Sequence, residues 1–173
     1  QIPIKREFSS PGAGWNAGPW NDSTWNTERA TSVVIFAGGQ WTFANFGEDL
    51  LAWQQNGKIY TWDTSGGMTS TNRASAVSNA PTANRLGLMT APDRHVVCFG
   101  TETTIGTTST QDDLFIRWAD QESSTDWTPT ATNTAGSQRL SGGSRIESAL
   151  LAKQQVLIWT DTTLFSMRFV GPP

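Results

Sequence analysis

The residues that could perform nucleophilic or metal chemistry are few in this chain of 173 residues. His95 is the only histidine and Cys98 is the only cysteine. One histidine is too few for any catalytic or zinc site that needs two, and one cysteine excludes an internal disulfide. Cys98 lies in the apolar run HVVCF, where a small buried side chain is expected. We interpret His95 as a polar residue at a strand edge.

The carboxylates do not form an obvious catalytic pair. They fall into three groups: Glu48 with Asp49, Asp112 with Asp113, and Asp120 with Glu122 and Asp126. Glycoside hydrolysis needs two carboxylates that face each other across a sugar, whereas neighbouring residues of a strand point to opposite faces. The loop 120–126 offers oxygen ligands for Ca²⁺ but lacks the spacing of an EF-hand, so loop capping is its expected role. The sequence therefore predicts no catalytic residues, no metal, no cofactor and no enzymatic activity.

The composition argues against two classes of partner. The net charge is −3 and no dense run of Lys and Arg occurs, which disfavours a dedicated nucleic-acid binder. No apolar run approaches the length of a membrane span, so membrane insertion is not expected. The chain begins with Gln, shows no signal-peptide pattern and stops soon after a strand-like run. We therefore expect a processed chain or a fragment.

Short apolar runs separated by turn residues are typical of an all-β domain. Asn56-Gly57 predicts a tight hairpin between strands at 49–55 and 58–63, with positive φ at both turn residues. A second hairpin turn is expected at 91–94. The other predicted strands are 32–37, 85–90, 95–100, 113–120 and three strands within 145–169, broken at Lys153-Gln154 and Asp161-Thr162. The segment IESALLAKQQ within that last range also fits a helix, but we favour strands because its flanks are strand-like.

An apolar run followed by Trp and then Asp occurs three times. The pairs are Trp62 with Asp63, Trp118 with Asp120, and Trp159 with Asp161. Repeats of about 40–50 residues with short strands are typical of propeller blades, which cover their faces by stacking. We expect a propeller-like stack of antiparallel sheets with about three blades, fewer than the about four to eight of closed rings. The chain would then be a fragment, part of a ring completed by other chains, or an open stack, and the three Trp residues would form its structural core.

The N-terminal segment carries Trp15, Trp20 and Trp25, each followed by Asn. A step of five residues matches neither the helical period nor the strand period, and the intervening Gly, Pro and Asn residues form turns. We expect 1–31 to be an extended Gly- and Trp-rich ribbon and 32–173 to be the propeller-like β domain. The three indoles should contact protein, either the blades of the same chain or another subunit, rather than sugar.

Long polar segments separate the predicted strands at 64–84, 101–113 and 121–144. Such loops are usually functional or are ordered by a partner. Trp127 lies in the last of them. It is either an interaction anchor or a cap on the core of its own domain, and the sequence leaves both open.

Three segments resemble the structural proteins of tailed-phage virions: NFGEDLLAWQQNGKIYTWD at 45–63, DDLFIRWADQESSTDWTPTATNTAGSQRLSGGS at 112–144, and VLIWTDTTLFSMRFVGPP at 156–173. The chain is similar to the propeller-bearing tail hub, nozzle or head–tail stabilising proteins of short-tailed phages. The resemblance of this chain to the group extends from about Trp41 onward, and its segment 14–26 also looks like the Gly- and aromatic-rich repeat of that group. Members of the group are longer and continue past GPP.

The resemblance implies a non-enzymatic virion building block of the tail or head–tail connector, assembled in the bacterial host cytoplasm. Its partners would be other virion proteins or copies of itself. The resemblance implies no catalytic residues. The alternative is a carbohydrate-binding β module for host recognition, in which exposed indoles make weak contacts with sugar. A glycan-cleaving propeller enzyme is least favoured, because no opposed carboxylate pair can be named.

Overall fold

The structure is a computed structural model that describes residues 40–69, 71–91 and 93–171. The chain divides between Gly39 and Gln40, and the described residues belong to the second unit. The predicted ribbon, with Trp15, Trp20 and Trp25, and the predicted strand at 32–37 lie outside the described residues. Within the described part the protein is all-β, since its regular elements are strands and two short 3-10 turns.

Three antiparallel sheets follow one another along the chain, and each is a meander of consecutive strands. Sheet 1 contains β1 (Trp41–Phe46), β2 (Asp49–Gln54), β3 (Ile59–Trp62) and β4 (Ser75–Ala76). Sheet 2 contains β5 (Leu86–Met89), β6 (Val96–Phe99), β7 (Phe115–Trp118) and β8 (Gly136–Arg139). Sheet 3 contains β9 (Ile146–Leu151), β10 (Val156–Thr160) and β11 (Leu164–Met167).

The sheets stack in the manner of propeller blades. The first strand of sheet 2, β5, lies beside the first strands of both neighbouring sheets, β1 and β9. The described residues form an open stack of three sheets and do not close a ring. The predicted propeller-like all-β fold is therefore confirmed.

Strand β6 shows how the stack is held together. Val96 and Cys98 belong to a core cluster shared with sheet 1, whereas Val97 and Phe99 belong to a second cluster shared with sheet 3. Successive residues of a strand point to opposite faces, so one strand contributes to both cores. This double coverage explains why the run VVCF is apolar without alternation, since a sheet covered on both faces has no solvent side.

The predicted hairpin at Asn56-Gly57 is confirmed, but the predicted positive φ is present at Asn56 and not at Gly57. The Gly57 N–H donates to the carbonyl oxygen of Gln54 at 3.0 Å and closes the turn between β2 and β3. Only Asn56 has a positive φ, of 56°. Positive φ at the third residue alone is the geometry of a type II turn, whereas the expected turn needs it at two residues.

The structure corrects the predicted core role of Trp62 and Trp159, whereas Trp118 packs against the second core cluster. Trp62, Trp118 and Trp159 are each only partly buried. Trp62 and Trp118 end the third strands of sheets 1 and 2, but Trp159 lies in the second strand of sheet 3, so the three positions are not equivalent. Trp62 and Trp159 point away from sheet 2, which is why neither joins the two core clusters.

Candidate interaction surfaces

The outer face of sheet 1 carries large rings that no described residue covers from outside the sheet. Strand alternation and register place the side chains of Trp41, Phe43, Leu50, Tyr60 and Trp62 together on this side. Phe43 is 54% exposed and Trp41 is 38% exposed. The ring of Trp41 lies 6.4 Å from that of Phe43 and 5.8 Å from that of Tyr60. We call these five residues the aromatic face.

The outer face of sheet 3 is open at the other end of the stack. Leu157 is paired with Leu150, and Trp159 is paired with Leu164, so all four side chains lie on the same side. Leu150 is 57% exposed and Leu164 is 52% exposed. The neighbouring positions on this side are Ser148 and Ser166. We call Leu150, Leu157, Trp159 and Leu164 the leucine face.

Both faces have the composition of surfaces that are normally covered. Strand β10 reads VLIWT and is apolar on both sides, as β6 is, although only its inner side packs against sheet 2. The other paired strand positions on these two sides are uncharged, namely Asn45, Ala52, Gln54 and Ala76 in sheet 1 and Ser148 and Ser166 in sheet 3. Lys58, just before β3, lies at the rim of the aromatic face on the side of Tyr60. Large apolar residues without charge are typical of the buried centre of an interface, and contiguous exposed apolar patches mark interaction sites.

Trp127 is part of the core and not an exposed anchor. Its side chain is 1% exposed and packs in the cluster that joins sheets 1 and 2, while its Nε1–H donates to the Ser124 carbonyl oxygen at 2.7 Å. Of the two roles that the sequence leaves open for Trp127, the structure supports the cap on the core of its own domain and not the interaction anchor. The indole enters the core because its loop folds back over the end of the two sheets, a contact that the polar local sequence does not reveal.

A cleft of about 620 Å³ lies between sheets 2 and 3, at the end where the loop 119–135 and the β9–β10 turn approach each other. Its apolar floor includes Val97, Ile116 and Ile158. Its walls include two further groups: the rings of Trp118, Phe165 and Phe169, and the carboxamides of Gln138, Gln154 and Gln155. Aromatic rings beside amide groups can bind an apolar or sugar-like ring.

His95 borders this cleft and is 3% exposed. Its Nδ1 lies 2.9 Å from the carbonyl oxygen of Ala119, and because a carbonyl only accepts, Nδ1 carries the proton. The other ring nitrogen, Nε2, is buried and has no hydrogen-bond partner among the described residues. The ring of Phe169 covers the imidazole at 4.8 Å.

Comparison of the whole chain with protein-family models, curated proteins and solved structures finds no match. The surfaces themselves are therefore the guide to function. In the described ranges no three His, Cys, Asp or Glu side chains come together as metal ligands. None of the helical segments seen there has the length and apolar character needed to cross a bilayer.

The acids that follow the repeated tryptophans fix the chain locally. Asp63 accepts from the Ser65 N–H, Asp120 accepts from the N–H and hydroxyl of Thr134, and Asp161 accepts from the N–H and hydroxyl of Ser144. The side chains of Ser65, Thr134 and Ser144, followed by their N–H groups, lower the pKa of Asp63, Asp120 and Asp161 respectively. The Asp residues of the Trp–Asp pattern therefore hold neighbouring loops in place by hydrogen bonds.

A carboxylate and a thiol are among the polar groups buried in the core. Glu102 is fully buried, accepts from the Gly106 N–H at 2.7 Å and also from the Thr82 hydroxyl. Cys98 accepts a hydrogen bond from Trp53 Nε1 at 3.2 Å, and burial raises the pKa of its thiol. Both groups are enclosed and hold neighbouring chain in place, which is a structural role.

Proposed function

We propose that this protein is a non-enzymatic structural component of a tailed-phage virion, in the tail or head–tail connector, and that it acts by subunit assembly. The observation that carries the proposal is the pair of uncovered faces at the two ends of the stack. A sheet stack that ends in exposed, largely apolar faces is suited to bind further sheets. The resemblance of 45–63 and 112–144 to phage virion proteins supports the virion setting.

The loops support a scaffold more than a catalytic role. Asn72 donates to the carbonyl oxygens of Asp63 and Gly67, and Asn133 donates to the carbonyl oxygen of Thr128. Loops held by their own hydrogen bonds do not need a ligand to become ordered. The acids described above are likewise occupied by backbone and hydroxyl donors, which leaves them as tethers rather than as an opposed pair.

The test is to look for the protein in particles. Gradient-purified virions of a phage that carries this coding sequence should contain its peptides at a fixed stoichiometry by mass spectrometry. Antibody labelling in negative stain should place it in the tail or neck. If the peptides are missing from intact particles, or if the purified chain hydrolyses a glycan, the proposal is wrong.

The cleft favours carbohydrate binding as the second candidate function. Trp118 and Gln138 both line this cleft. The indole of Trp118 can stack on the apolar face of a sugar ring, and the carboxamide of Gln138 can form hydrogen bonds with its hydroxyl groups. Bacterial surface polysaccharide should then quench tryptophan fluorescence of the chain. Gln138→Ala and Gln154→Ala should weaken the response, whereas Gln121→Ala, outside the cleft, should leave it unchanged. A flat titration rejects this candidate.

A further inference from the structure

We propose that the aromatic face of one copy packs against the leucine face of a second copy, and that the reciprocal contact closes a ring of six sheets. This inference rests on the proposed assembly function and names the partner as the chain itself. It uses the aromatic face, centred on Phe43, and the leucine face, centred on Leu150.

The first argument is the chemistry of the two faces. One offers broad rings, including Trp41 and Tyr60, and the other offers branched aliphatic side chains, including Leu157 and Leu164. Aromatic side chains against aliphatic ones bury large areas without opposing any charge, and depletion of charge is the compositional mark of an interface core. Face-to-face packing would remove from water the side chains that are now more than half exposed, Phe43, Leu150 and Leu164.

The second argument is the packing already present within the chain. Between sheets 1 and 2, Leu51, Trp53 and Ile59 meet Val96 and Cys98, so aromatic and aliphatic side chains interdigitate across the gap. Sheet 2 is covered on both sides, and its second strand is buried throughout. Sheets 1 and 3 carry apolar residues on both sides but are covered on one. A second copy would give every sheet the environment that sheet 2 already has.

The third argument is symmetry. The two faces lie on opposite ends of the stack, so their contact is heterologous, and such contacts form a closed ring when the rotation per subunit divides a full turn. Two copies with three sheets each make six sheets, within the range of about four to eight that closed propellers use.

The experiment uses one cysteine on each face. Phe43→Cys is placed in one chain and Leu150→Cys in a second chain that carries a longer tag, and the two are mixed under mild oxidation. Both positions are exposed, so folding is preserved, and the native Cys98 is fully buried and does not compete. The ring predicts a disulfide between the two different chains and none when either variant is oxidised alone. Ser137→Cys, on exposed strand β8, is the matched control and should not cross-link with either.

The closure is read from mass. Light scattering of the unmodified chain should give twice its 18.8 kDa mass. A chain with both Phe43→Cys and Leu150→Cys should be locked at that doubled mass after oxidation. A monomer at all concentrations, a Phe43→Cys chain that cross-links to itself, or a ladder of polymers would each overturn the ring. Particle composition is measured separately, so a failed ring and a failed virion assignment are distinguishable.

Discussion

The indole of Trp53 lies directly against the backbone of Gly87, at the junction of sheets 1 and 2. A Cβ atom at Gly87 would fall 2.1 Å from Trp53 Nε1, which is far closer than two non-bonded heavy atoms can approach. The same Nε1–H donates to the sulfur of Cys98, which is the cross-strand partner of Gly87. The absent side chain of Gly87 therefore makes the space that the fully buried Trp53 fills.

We predict that Gly87→Ala destabilises the fold by about 2–3 kcal/mol or more, since neither Trp53 nor strand β5 can move without disturbing the core. Urea denaturation followed by tryptophan fluorescence measures the loss. Gly57→Ala is the matched control, because the nearest atoms that a Cβ there would meet, at 2.8 and 2.9 Å, belong to the rotatable carboxamide of Gln54, with the Gln54 Cβ next at 3.1 Å. Equal midpoints for the two variants would show that the Trp53 contact is not a constraint.

Trp127 should be one of the costliest tryptophans to remove. Trp127→Ala should reduce the free energy of unfolding by about 3–5 kcal/mol, because the indole is enclosed in the core. Trp41→Ala removes a side chain that is 38% exposed and should cost about 1 kcal/mol in the isolated chain. Chemical denaturation of both variants under one set of conditions gives the comparison. A larger loss for Trp41 would contradict the assignment of Trp127 to the core.

Much of the fold could be predicted because local pattern and tertiary burial agree. The hairpins around Asn56 and Arg94 follow from turn residues between apolar runs, and the breaks near Lys153 and Asp161 divide three strands as expected. The flanks of IESALLAKQQ favour a strand over a helix, and β9 (Ile146–Leu151) confirms the strand. In these segments the local preference of the residues for turn or strand agrees with the structure that the surrounding fold requires.

The rest could not be predicted because it depends on distant partners. Strand β8 reads GSQR and β4 reads SA, and neither has an apolar pattern, since each simply pairs with the edge of a sheet that its neighbour provides. The environment of Trp127 is set by Leu51 and Val96, which are remote in sequence. In the sequence, the residues of the outer faces differ from core residues in nothing but their partners, which is why the pattern predicts Trp62 and Trp159 as core residues.

Asn56, rather than Gly57, should control the β2–β3 hairpin. Asn56→Val forces a β-branched residue to adopt a φ of 56° and should cost about 1–2 kcal/mol. Asn56→Gly should change stability by about 0.5 kcal/mol or less, because glycine adopts that conformation freely. Thermal unfolding distinguishes the two. If the Asn56→Val variant has the same melting temperature as the parent, the positive φ at Asn56 is incorrect.

Asp120 should contribute to resistance against acid. The hydroxyl and N–H of Thr134 donate to its carboxylate at 2.6 and 2.7 Å and hold the pKa of Asp120 below its ordinary value. Because the pKa is depressed in the folded state, the stabilisation is complete above the ordinary carboxyl pKa of about 3.9 and is lost as the pH falls through the depressed value. Asp120→Asn keeps an acceptor oxygen but cannot titrate, so its free energy of unfolding should fall less steeply than that of the parent between about pH 5 and pH 2. Urea midpoints across this range measure the slope.

Glu48→Gln removes an exposed carboxylate in the β1–β2 turn and should retain the slope of the parent. If Asp120→Asn shows the same slope as Glu48→Gln, the tether to Thr134 has no role in acid stability.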